Sequence, residues 1–203
     1  MHNYAASARL PPWLRAGPGP SRPEPKCAIR RRVEAEAAPS DAPRRYRGSC
    51  HCGALTLVFE TRRPLRPRAC QCSFCRRHSA RTVSDPEGRA TIRLAVPLEA
   101  AAYLFASRQA SYLTCPRCGV YLGATIATPE GSFATLNLNA FDERHPELEA
   151  QPVCYEGQSA AEKRARRIGL WTPATVAAGG GAQIAPSPPP ATAAGLGRPA
   201  PPG

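Results

Sequence analysis

Seven of the nine cysteines fall into three short clusters: Cys50-His51-Cys52-Gly53, Cys70-Gln71-Cys72-Ser73-Phe74-Cys75 and Cys115-Pro116-Arg117-Cys118-Gly119. Thiolates at this density are soft ligands suited to a metal such as zinc. Tetrahedral zinc, with bonds of about 2.3 Å to sulfur, sets its ligand sulfurs only about 3.8 Å apart. Residues i and i+2 on a flat strand have Cα atoms about 7 Å apart, so a Cys-x-Cys or Cys-x-x-Cys pair meets one metal only where the backbone curls. Gly53 and Gly119, each directly after a cysteine, permit that curl. Cys115-Pro-x-Cys118-Gly is therefore expected to be a zinc knuckle that supplies two ligands, with another pair completing its site.

Other arrangements compete. Disulfides need an oxidising compartment, whereas this sequence shows no export signal and its close cysteine pairs would make strained rings. A single zinc ribbon of two knuckles leaves three cysteines without a role. An iron–sulfur cluster can use Cys-x-Cys-x-x-Cys plus a distant cysteine, although glycine-flanked knuckles suit zinc better. Two metal sites, one of four sulfurs and one of three, account for all seven cysteines. Four sulfurs close a tetrahedron, while three leave a position open to a ligand. Such an open site can deprotonate a bound thiol or polarise a carbonyl, the two activations that a thiol–aldehyde adduct requires.

The motifs Gly48-Ser-Cys50-His-Cys52-Gly53-Ala-Leu, Cys70-x-Cys72-Ser73-x-Cys75-Arg76-Arg77 and Cys115-Pro-x-Cys118-Gly119, in that order, resemble the glutathione-dependent formaldehyde-activating enzyme family, also called the CENP-V/GFA domain. The resemblance covers about Tyr46 to Thr172. It implies an all-β, Mss4-like β-tent fold. It also implies two zinc ions per chain, a structural one at Cys50, Cys52, Cys115 and Cys118 and a second at Cys70, Cys72 and Cys75. The last three are the expected catalytic residues. The activity implied is that of a carbon–sulfur lyase acting on a thiol–aldehyde adduct such as S-hydroxymethylglutathione, with glutathione as thiol cosubstrate. Gln71 stands where many members carry His. Arg76 and Arg77, directly after the last ligand, are the candidates to hold a substrate carboxylate. His78 is expected to be structural, His51 to point outward and Asp85 to serve a turn.

The elements that must position these residues alternate with period two. Leu55, Leu57 and Phe59 alternate with Thr56 and Val58, and similar strands are expected at Ala90–Leu94, Tyr103–Ala106, Ser111–Thr114, Val120–Ile126 and Phe133–Asn139. Asn137 and Asn139 would share a solvent-facing side of the last of these. Ser159 and Glu162 form a capping box that opens a short C-terminal helix from Ala160 to about Gly169. Cys27 and Cys154 have no partner at metal spacing and are expected to be free.

Composition limits the rest. The chain has 203 residues, with 24 Pro and 16 Gly crowded toward its ends. Residues 1–45 and the Ala/Gly/Pro-rich residues 174–203 are accordingly expected to be disordered tails around one zinc domain at 46–173. Apolar runs are too short for a membrane span, and no secretory pattern is present, so a cytoplasmic protein is expected. The net charge of +12 rests almost wholly on Arg. It leaves room for a rival reading, a non-catalytic zinc module for nucleic acid, chromatin or a protein partner. Aromatic residues are not interleaved with basic ones as single-strand binding requires, so specific nucleic-acid binding is not expected and a small-molecule thiol or aldehyde adduct is the expected partner.

Overall fold

The computed structural model describes residues 39–178. The first element is the hairpin of β1 (Arg44–Ser49) and β2 (Leu55–Thr61), whose turn is the Cys50–Ala54 segment. Leu55, Leu57 and Phe59 of β2 are at most 1 % exposed, as alternation predicts. They sit directly opposite Leu94, Ile92 and Ala90 of β5 (Arg89–Leu94). Tyr46 and Phe141 close this layer around the Phe59 ring. Burial of each such Leu or Phe contributes about 1.5–3 kcal/mol, so this hairpin and β5 are the anchor of the main core.

The remaining strands are β3 (Arg68–Cys70), β4 (Thr82–Val83), β6 (Ala102–Tyr103), β7 (Ser111–Thr114), β8 (Tyr121–Thr128), β9 (Gly131–Asn137), β10 (Gln151–Val153) and β11 (Thr172–Ala178). Among the described residues the α-helices are α1 (Ser73–Arg77), α2 (Leu98–Ala101) and α3 (Ala160–Leu170). The domain is thus mainly β with a short C-terminal helix. Its strands form one sheet in the order β1-β2-β5-β11-β9-β4-β3-β10, with β6, β7 and β8 branching from β9. The branch arises because β9 shares one edge between two partners: Phe133 and Ala134 pair with β11, while Leu136 and Asn137 pair with β4. The other edge of β9 pairs with β8.

In β8, six consecutive residues from Tyr121 to Ile126 are buried. Leu122 joins the main core, Tyr121 faces the Cys75 side and Ile126 packs near Trp171. A strand covered on both faces loses the alternation that marks a half-exposed one.

Several expectations need correction. The strand expected at Tyr103–Ala106 stops at Tyr103, and Ala106 has φ of 50°. The strand expected to reach Asn139 ends at Asn137, where a 3-10 turn (Leu138–Ala140) begins. Asn137 is buried rather than solvent-facing. Its side-chain oxygen accepts from the Arg81 and Asn139 amides, and its NH2 group donates to the Tyr121 carbonyl. Asn139 turns away and donates to the Ser79 carbonyl. The helix is as expected: Ser159 caps α3 by accepting from the Glu162 amide, and the Glu162 carboxylate accepts from the Ser159 amide.

The folded segment also extends past both expected limits. β1 opens at Arg44, and β11 runs to Ala178, five residues into the segment read from composition as a tail. Ala174–Ala178 pair in parallel with Ala90–Leu94, while Thr172 and Pro173 pair with β9, so β11 straps the two parts of the sheet together. A chain ending at Pro173 is therefore expected to melt at least about 5 °C below one ending at Ala178, since several ladder bonds are each worth about 1 kcal/mol. Thermal unfolding followed by circular dichroism checks this; equal melting temperatures would show that the strap carries no stability. Cys27, and the rest of the expected tails at 1–38 and 179–203, lie outside the described residues.

Candidate functional site

Two hairpin turns build the first cysteine group in the same way. The Cys50 amide donates to the Leu55 carbonyl and the Cys115 amide to the Val120 carbonyl, each across five residues at 2.9 Å. Inside each loop a glycine adopts positive φ, 74° at Gly53 and 76° at Gly119, a conformation other residues take only with strain. The Leu55 amide also donates to the Cys50 sulfur. These turns face one another, so Cys52 and Cys115, 63 residues apart in sequence, bring their sulfurs to 3.6 Å, and Cys50 and Cys52 to 3.7 Å. A disulfide needs about 2.05 Å, whereas these distances match the roughly 3.8 Å between ligands of a tetrahedral metal. All eight described cysteines are free. Cys50, Cys52, Cys115 and Cys118 form one group that could hold a metal ion, with His51 exposed at its rim.

Cys70, Cys72 and Cys75 form a second group, their sulfurs within 4.8 Å of one another. Cys70 ends β3, Cys72 caps α1 by accepting from the Cys75 amide, and Cys75 is buried on that helix. The helix needs only five residues because Cys72, rather than Ser or Asp, supplies the capping acceptor. The cysteines divide into four and three, the count expected from spacing, in the sets that the resemblance implies. Cys154 follows the end of β10, whose Val153 pairs with Cys70, and belongs to neither group.

Protons are shared unevenly in the second group. Cys72 is pulled down to about 3 by thiol hydrogen bonds from Cys70 and Cys75, helped by the amides of Cys75 and Phe74. Its partners move the other way: hydrogen bonding to Cys72 pushes Cys70 up to about 11, and Cys75 is raised further by Cys70, Cys72 and burial. In the first group, burial raises Cys50 to about 12 and raises Cys115 as well. At Cys118 burial is outweighed by the amides of Val120 and Cys52, which bring it to about 6. A metal ligand must be a thiolate. With the four-sulfur group already loaded, binding of the second zinc equivalent at pH 7 is therefore expected to release protons from the raised thiols of this group. Titration in weak buffer with an indicator dye checks this; uptake with no proton release would show that all three sulfurs start as thiolates. Metal uptake at this site should weaken as pH falls, because protons compete for the same sulfurs.

Aromatic residues wall one side of the second group. Phe74, between two of the cysteines, meets Tyr112 at 4.9 Å, Tyr121 at 5.0 Å, Phe105 at 5.4 Å and Tyr103 at 5.7 Å between ring centroids. His78 stacks on Phe74 at 4.4 Å. Burial, and then the negative charge on the cysteines, raises the phenols of Tyr112 and Tyr121, so both stay neutral hydrogen-bond donors.

Also near the group are arginines that spacing did not reveal. Burial lowers Arg68 and Arg166, while Tyr155 and Cys70 lie near enough to counter it. Arg76 and Arg77 are exposed, and Arg77 donates to the Ser73 carbonyl of its own helix. Asp85 is buried in its turn, accepting from Thr61 and the Glu87 amide and paired with Arg63. The cavity of about 210 Å³ beside it, lined by Pro43, Glu60 and Arg89 among others, includes none of the cysteines.

Residues 45–157 match the family described as glutathione-dependent formaldehyde-activating enzyme. The chain belongs to this family. Both cysteine groups lie inside the matched segment, whereas α3 and β11 of this family member follow it. No curated protein matches the chain. A crystal structure of a Rhodobacter sphaeroides protein aligns over 53% of this chain and 99% of its own, with 25% sequence identity and a TM-score of 0.37. Among the described residues no helix is long and apolar enough to cross a membrane.

Proposed function

We propose that the protein is a zinc-dependent carbon–sulfur lyase-type enzyme that makes and breaks the bond between a thiol and an aldehyde, with S-hydroxymethylglutathione as its leading substrate. Support comes from the contrast between the two cysteine groups: four sulfurs that can complete a tetrahedron, and three that cannot, within a chain of the formaldehyde-activating family. Cys50, Cys52, Cys115 and Cys118 would hold a structural zinc, and Cys70, Cys72 and Cys75 the reactive one. Bound there, the metal supplies a Lewis acid that lowers a thiol's pKa and polarises a carbonyl oxygen.

The chain's own residues do the rest. In the forward direction a substrate thiol loses its proton, its sulfur forms a bond to the aldehyde carbon and the carbonyl oxygen takes up a proton to become a hydroxyl; no electrons are gained or lost. Tyr112 and Tyr121, held neutral, are placed to donate to an oxygen on which charge develops. Phe74, with Phe105 and the half-exposed Tyr103 stacked on it, gives that side an apolar lining. Arg76 and Arg77, expected from sequence to hold a substrate carboxylate, are exposed on α1.

Exchange spectroscopy by NMR on formaldehyde, glutathione and their adduct tests the reading. The zinc-loaded protein should speed interconversion well beyond the spontaneous rate. No acceleration with glutathione or any other thiol, together with tight binding of a DNA duplex at physiological salt, would replace it with a non-catalytic binding module.

A further inference from the structure

Arg167 is 6% exposed, has no carboxylate partner among the described residues, and leaves its Nε without any hydrogen-bond acceptor. Its only polar contact among the described residues is donation to Gln109 Oε1 at 3.3 Å, and its guanidinium lies 5.5 Å from the Trp171 ring centroid. Arg166, the preceding residue on α3, stacks 3.5 Å over the Tyr155 ring and donates to Gln158. Arg68 on β3 is two residues before Cys70 and donates to Ser84. Arg166 lies within electrostatic reach of Arg68, Arg167 and Cys70, and Arg167 within reach of Tyr112, which in turn faces all three cysteines.

Buried Arg167 and half-buried Arg68 and Arg166 thus lie in the neighbourhood of the three-cysteine group, with no acidic side chain paired to any of them among the described residues. A buried charge without a partner costs several kcal/mol. Three thiolates on a divalent ion carry one surplus negative charge, which offsets only one of the three guanidiniums. The balance calls for an anion that is part of the ligand.

We propose that Arg68, Arg166 and Arg167 form the anion-binding half of the Cys70–Cys72–Cys75 site and select a thiol adduct that bears carboxylates. The proposal rests on the thiol–aldehyde reading above. The planar guanidinium fork matches a carboxylate in two-point contact. A soft site for sulfur on one side and a hard, cationic one on the other then fix both ends of one small molecule. Arg166 and Arg167 follow the family-matched segment, so the selectivity is a property of this chain's C-terminal helix.

The test titrates zinc-loaded full-length protein calorimetrically with mercaptoethanol, mercaptosuccinate and glutathione. The two acidic thiols should bind at least about tenfold more tightly than mercaptoethanol. Arg166→Gln and Arg167→Gln should each bring that preference down to about twofold or less, since a lost hydrogen bond to a charged group is worth about tenfold or more. Mercaptoethanol binding and zinc content should stay as in the wild type, and the exposed pair Arg76→Gln and Arg77→Gln should keep the preference. Arg166, only partly buried, decides the matter if Arg167→Gln does not fold. Equal binding of all three thiols, a preference that survives both α3 substitutions, or its loss in the Arg76 and Arg77 variants overturns the proposal and leaves the thiol site standing. Binding of none of the three overturns the thiol reading and this proposal with it.

Discussion

Cys118→Ser is expected to leave the chain largely unfolded at room temperature. A structural zinc site is worth about 10–16 kcal/mol in apparent binding free energy, and that is folding free energy where the site forms only on folding. A domain stable by about 5–15 kcal/mol does not survive losing a ligand whose neighbours Cys50 and Cys115 are buried in the main core. Cys75→Ser should behave differently: its site sits on a five-residue helix beside an aromatic cluster and outside the main core that holds Cys50 and Cys115. Thermal unfolding of the two variants, followed by circular dichroism, makes the comparison. Equal destabilisation would mean that the second site is structural too.

Activity should show the reverse pattern. Cys75→Ser and Cys72→Ser are each expected to slow thiol–aldehyde interconversion by a factor on the order of 10³, because Lewis-acid activation supplies several kcal/mol of transition-state stabilisation. The same dependence should appear without mutation. Under mild chelation, native mass spectrometry should show one zinc leaving before the other, and turnover should fall in step with that first loss while the circular dichroism spectrum holds. Activity that persists after the first zinc has gone would place the chemistry elsewhere.

The turns at Cys50–Gly53 and Cys115–Gly119 were legible because each is a local pattern of two cysteines closed by a glycine, whereas which cysteines share a group depends on contacts as far as 63 residues apart and was carried by the family resemblance. Strands β2, β5 and β7 were legible for a similar reason, since their half-buried alternation is a local pattern. What escaped notice depends on long-range pairing. β3, β4 and β10 are two or three residues long, and β10 contains Pro152, so only their neighbours make them strands. β11, with sequence TPATVAA, has too few large apolar side chains to declare itself and is held by the edge of β5. The arginines of the site were hidden for the same reason. Arg166 and Arg167 fit the usual excess of basic residues near a helix C-terminus, and their approach to Cys70 follows from the pairing of β10 with β3 and the packing of α3. One signal was available: Arg167 stands one helical turn before Trp171, a residue whose size favours burial.

A metal held by both Cys52 and Cys115 would tie off a loop of 63 residues, and every ligand of the second site lies inside it. A cross-link of that length removes chain entropy worth about 4 kcal/mol from the unfolded state. Once it has closed, Cys70, Cys72 and Cys75 are presented as a finished trio whose assembly no longer waits on the rest of the chain. Metal can then enter and leave the open site on the timescale of ligand exchange rather than of folding, so a cell short of zinc would hold a reserve of intact, silent protein that wakes as soon as the ion returns.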